Sequence, residues 1–122
     1  MQGLFACSNL GPFLRAVAPA FNLYFPMRLQ PLFPLGRTVQ TRGVADLGLS
    51  DEVLRSLLAR HVFGDWRGMT AEDQRSNEEA VMQGGLRVFS SYMVRVGDAE
   101  VKVWVITEAD RSSTTILLPR EY

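Results

Sequence analysis

The stretch that most constrains how this chain can fold is VKVWVITEADRSSTTILLPREY, residues 101–122. Val101, Val103 and Val105 alternate with Lys102, Trp104 and Ile106, the period of a strand whose two faces meet different surroundings. A short charged turn follows, and Thr114 to Leu118 reads as a second strand that stops before Pro119. Upstream, LRVFSSYMVRV (86–96) sets Leu86, Val88 and Val94 against Arg87 and Arg95, and Gly97-Asp98 supplies a turn. The last third of the chain therefore reads as an antiparallel meander.

The middle third reads as helical. Ser50 is placed to cap a helix whose first turn carries Asp51 and Glu52, where the helix dipole favours acidic groups. Val53, Leu54, Leu57 and Leu58 repeat at helical spacing, Arg60 and His61 occupy the last turn, where cations are favoured, and Gly64 terminates it. Residues 61–69 connect to a second, more polar helix that begins at Thr70, with Asp73 in the capping-box position, and ends at Gly84-Gly85. Within it Asn77 lies one turn from both Asp73 and Val81, on the side expected to meet the sheet. Before these helices, LGRTVQTR (35–42) is β-capable, reads as an edge strand, and is closed by Gly43.

The pattern predicts an α+β domain over residues 35–122, with two helices packed on a small antiparallel sheet of three to four strands in the order β-α-α-β-β-β. Residues 1–34 differ: five of the six prolines and five of the seven phenylalanines lie there. The uncharged run 16–27 has 12 residues, where a membrane-spanning helix needs about 20. Arg15 falls inside the apolar part, unlike the basic start of a secretory signal. Residues 1–34 read as an apolar extension, with three readings open: a loosely packed arm, a peripheral hydrophobic anchor or an untranslated stretch. The composition break favours the last, with Met27 as the expected natural start.

Charge is balanced, with 13 basic and 13 acidic residues, so no bulk field favours nucleic acid or an anionic membrane. One cysteine, Cys7, excludes an internal disulfide framework, and one histidine, His61, leaves no metal-ligand spacing. The expectation is a small soluble cytoplasmic protein with neither metal nor cofactor.

From Leu35 onward the chain resembles a family of short proteins from plasmids and integrative elements of proteobacteria, the "plasmid-related protein" family. Some of its members are labelled type I restriction endonuclease subunit M. The resemblance rests on LGRTVQT, LLARHVFGDW, EDQRSNEEAVMQGGLRVFSSY and WVITEADRSSTTILLPREY. After GDW the family continues with Gly-Asp where this chain has Arg67-Gly68, and the family's Pro-Glu-Glu-Tyr ending is Pro-Arg-Glu-Tyr here. The resemblance implies a mobile-element setting and no established reaction. A DNA methyltransferase would need a glycine-rich cofactor loop and an Asn/Asp-Pro-Pro-aromatic motif, and neither is in this sequence.

Two functional classes follow. One is an accessory or regulatory protein that binds a host or plasmid protein, which fits the neutral charge and the lack of a paired catalytic motif. The alternative is a metal-independent ribonuclease of barnase- or RelE-like type, with RNA as partner. In that case His61 or Glu108 would move the proton, Arg111 would clamp the phosphate and Thr107 would donate a hydrogen bond. Asp65, Trp66, Asn77, Asp110 and Thr115 complete the binding candidates, with Trp66 as a stacking surface for a base. Each has a plainer alternative: a helix-end tether for His61, a solvated turn for Glu108, Asp110 and Arg111, core for Trp66.

Overall fold

The computed structural model describes residues 5–6 and 30–122. The expectations for Met27 and for most of the 1–34 extension lie outside the described residues. A two-residue strand, β1 (Phe5–Ala6), precedes β2 (Arg37–Gln40), and three helices follow: α1 (Arg42–Asp46), α2 (Asp51–Val62) and α3 (Ala71–Gln83). The chain then forms β3 (Val88–Val96), β4 (Ala99–Thr107) and β5 (Ser113–Leu117), and closes with a 3-10 turn at Pro119–Glu121. The class is α+β as expected. Among the described residues no helix is long and apolar enough to cross a membrane.

Local signals set the helix starts. Ser50 Oγ accepts from the Val53 amide at 3.2 Å, and Thr70 Oγ1 accepts from the Asp73 amide at 3.1 Å. Each satisfies one of the donors that a helix start leaves unpaired. Leu54, Leu57, Leu58, His61 and Val62 form the buried stripe of α2. They pack on the sheet face made by Val88, Tyr92, Val94, Val103, Val105 and Ile116.

The sheet runs β1-β2-β5-β4-β3. The β3–β4 and β4–β5 pairs are antiparallel, as the meander pattern predicts, with Val88 opposite Thr107 and Thr107 opposite Thr114. The sheet is mixed rather than wholly antiparallel, because β2 lies parallel to β5 with Val39 beside Thr115. Nor is β2 an edge, since β1 pairs with it at Phe5–Gln40 and Ala6–Val39. No local pattern encodes these pairings, because the partners, such as Phe5 with Gln40 and Val39 with Thr115, lie far apart in the sequence.

Gly36 makes the β2–β5 approach possible. Its φ is 65°, and a Cβ there would stand 2.4 Å from the carbonyl oxygens of Arg111 and Ser112. Both conditions exclude a side chain.

Gly43 corrects the expectation that it closes the early strand: it lies inside α1. The helix forms because Thr41 caps it and because the Glu121 carboxylate accepts from the Gly43 amide at 2.9 Å. That carboxylate also accepts from Thr41 Oγ1 at 2.5 Å and from the Leu118 amide at 3.0 Å. The penultimate residue thus caps a helix near the start of the domain.

On the sheet face opposite α2 and α3, Val39, Ile106, Thr115 and Leu117 are also buried. There Trp104 makes edge-to-face contacts with Phe89 at 5.0 Å and Tyr122 at 5.8 Å.

Candidate functional site

His61 is at the centre of the polar groups within the fold. It is fully buried, with Nδ1 2.5 Å from Ser90 Oγ and Nε2 2.8 Å from Thr107 Oγ1. Thr107 Oγ1 lies 2.7 Å from Thr114 Oγ1, which donates to the Leu35 carbonyl at 2.7 Å. The carbonyl fixes the direction of the whole chain of bonds. A carbonyl can only accept, so Thr114 spends its proton on Leu35 and receives the proton of Thr107. Thr107 must then accept from His61, which places the imidazole proton on Nε2 and leaves Nδ1 to accept from Ser90. The ring is neutral and both its nitrogens are engaged.

Burial, and secondarily the charge of Arg111, hold the His61 pKa down to about 3. This corrects the reading of His61 as a cation at a helix end. The pull of the helix dipole on an imidazolium is about 0.3–2 kcal/mol, and desolvation outweighs it here. His61 sits seven residues after Leu54, on the apolar stripe itself.

Arg111 sits in the turn between β4 and β5 with φ 61°, the one non-glycine residue with positive φ among those described. Its guanidinium donates to the carbonyls of Leu86 at 2.6 Å, Glu108 at 3.1 Å, Ala109 at 3.3 Å and Ala80 at 2.9 Å. The Ala80 carbonyl belongs to the last turn of α3, where a cation is favoured. Phe33 contacts both cationic and imidazole groups, 5.6 Å below the Arg111 guanidinium and 5.2 Å edge-on from His61. Glu108 pairs with Arg87 at 3.1 Å, and Asp110 accepts from the Ser112 amide at 2.9 Å within its own turn.

Asn77 has both amide atoms committed to the backbone of β3. Its Nδ2 donates to the Phe89 carbonyl at 2.6 Å, and its Oδ1 accepts from the Phe89 amide at 3.0 Å. The side chain thereby occupies the place of a neighbouring strand at one residue of the sheet edge.

Asp65 bridges Arg60 and Arg67, each at 2.9 Å, and its carbonyl accepts from Tyr92 Oη at 3.0 Å. Partial burial raises the Asp65 pKa, but the two guanidinium groups outweigh it and hold the carboxyl below its usual range. Trp66 is buried, and among the described residues its indole N–H has no hydrogen-bond partner. It forms one wall of a cavity of about 280 Å³ lined also by Leu32, Glu78, Val81 and Met82. Thr115 is buried on the face opposite His61.

The structure thus joins His61 and Thr107 directly, brings Arg111 to them through Phe33, and leaves Asp65, Asn77, Asp110 and Thr115 in separate settings. Sequence reasoning missed Ser90, Thr41 and Glu121. Ser90 carried a signal, since it shares the inward parity of Val88, Tyr92 and Val94, where a hydroxyl needs a partner. No family model, curated protein or solved structure matches this chain.

Proposed function

We propose that this chain acts by binding another protein, as an accessory or regulatory component of a mobile element. The observation that carries this reading is the engagement of His61, sealed from solvent with both ring nitrogens in hydrogen bonds. The ribonuclease alternative asks for a base or acid that reaches a ribose hydroxyl and a cation that reaches phosphate. His61 spends its polar atoms on Ser90 and Thr107, and Arg111 spends its guanidinium on four carbonyls. A binding role needs only exposed surface. It is supported by Met82, 85% exposed beside the cavity walled by Trp66 and Val81. The mobile-element setting rests on the resemblance of the four sequence blocks.

The test has two arms. Purified chain incubated with single-stranded and structured RNA is expected to leave both intact. Affinity isolation from cells carrying the encoding element is expected to recover a stoichiometric protein that Met82→Glu releases without changing the chain's circular dichroism. RNA cleavage lost in Arg111→Ala, with its fold retained, would overturn the binding reading in favour of the nuclease.

A further inference from the structure

The sheet ends at β3, and Asn77 shows which of its backbone groups face outward. Phe89 gives its N–H and C=O to Asn77 rather than to β4. The β3–β4 register runs from Val88–Thr107 to Val96–Ala99 without a break, so outward and inward groups alternate strictly along it. The two-residue turn Gly97-Asp98 gives the same parity independently, because the residues closing such a turn, Val96 and Ala99, bond to one another. Ser91, Met93 and Arg95 therefore also point their N–H and C=O away from β4. Among the described residues none of these groups has a partner.

We propose that residues 91–95 of β3 pair antiparallel with the same residues of a second copy of this chain, about a two-fold axis at Met93. The inference does not depend on the accessory reading. The open window is bounded on one side by the Asn77 clamp at Phe89 and on the other by the turn at Gly97. Its centre is Met93, so a two-fold axis there matches every open group with an open group. Met93 faces its own counterpart, while Ser91 faces Arg95 of the partner copy and Arg95 faces Ser91.

The side chains suit that register. Met93 is 51% exposed and is the apolar residue at the axis. Arg95 lies 3.9 Å from Glu100 within its own chain and meets a small hydroxyl across the interface, so no like charges are opposed. Of the usual guards of a free edge, the window carries one exposed charge, Arg95, and has no proline, bulge or inward-pointing charge. The pairing is isologous, each copy using its own β3 edge, so it closes as a dimer rather than extending as a filament.

Sedimentation equilibrium of the full chain, with residue-resolved amide exchange on the same sample, tests this. The expected result is twice the chain mass, with the Ser91, Met93 and Arg95 amides protected and that protection lost on dilution. Met93→Lys opposes two ammonium groups at the axis and should give a folded monomer with those three amides exchanging freely. A wild-type monomer at the concentration of an NMR sample overturns the proposal. So does a dimer in which these three amides stay unprotected, whatever the variant does.

Discussion

His61 is cheap to bury at neutral pH because it is already neutral there, and costly once the unfolded chain can bind a proton that the folded one refuses. Its folded pKa is about 3 against an ordinary value of 6.5. Between those values the unfolded state holds more protons, so stability falls as the pH falls from 6.5 toward 3. The slope from this one group approaches about 1.4 kcal/mol per pH unit. His61→Gln should lower stability at pH 7 by about 1–3 kcal/mol, since a flexible amide does not reproduce the direction in which the two ring nitrogens meet Ser90 and Thr107. Yet its urea midpoint should drop less steeply than wild type between pH 6 and 4. Asp65 and Glu121, whose carboxyls also sit below their usual range, are common to both proteins and cancel in the comparison. Parallel slopes would mean that His61 titrates alike in the folded and unfolded chains.

At the scale of elements, polar side chains join α3 to the sheet at two points. Asn77 holds Phe89 of β3, and Arg111 holds the Ala80 carbonyl in the helix's last turn. Asn77→Ala leaves one donor and one acceptor of a part-buried backbone unpaired. The expected loss is about 2–4 kcal/mol, accompanied by faster exchange of the Phe89 amide. Arg111→Ala removes charge-assisted bonds to four carbonyls and should cost about 1.5–3 kcal/mol. Arg111→Gly loses the same bonds but adopts φ 61° without strain, so it should unfold at higher urea than Arg111→Ala. The reverse order would show that the backbone strain at residue 111 is negligible.

These elements also show what a sequence reveals. The caps at Ser50 and Thr70, the alternating valines of β4 and the inward side of Asn77 were legible, because each rests on residues a few positions apart. His61 was misread: its place in the last turn suggested a charge, although its spacing from Leu54, Leu57 and Leu58 continues their stripe. The partners that neutralise it, Ser90 and Thr107, come from two strands far along the chain. The parallel β2–β5 pairing and the position of Gly43 inside a helix were not legible, since both depend on contacts that span the domain.

For the molecule as a whole, the closure between Glu121 and α1 fixes the C-terminal end of the chain to the start of the domain. Glycine inside a helix ordinarily costs about 1 kcal/mol relative to alanine. At Gly43 that preference should be reversed, because an added Cβ would lie 2.6 Å from Glu121 Oε1. The carboxylate would have to leave the Gly43 amide and Thr41 hydroxyl that it now bridges. Gly43→Ala in the wild-type chain should therefore destabilise, by roughly the 1–2 kcal/mol that a lost helix cap costs. Glu121→Ala alone should cost a similar amount. Truncating Glu121 removes the three atoms that approach this Cβ most closely, and Gly43→Ala should then stabilise that variant by up to about 1 kcal/mol. Urea unfolding of the two single variants and the double variant reads out this change of sign as a coupling energy. Additive costs would mean that Gly43 is kept for a reason other than the approach of Glu121, and that the C-terminal closure contributes little to holding α1 in place.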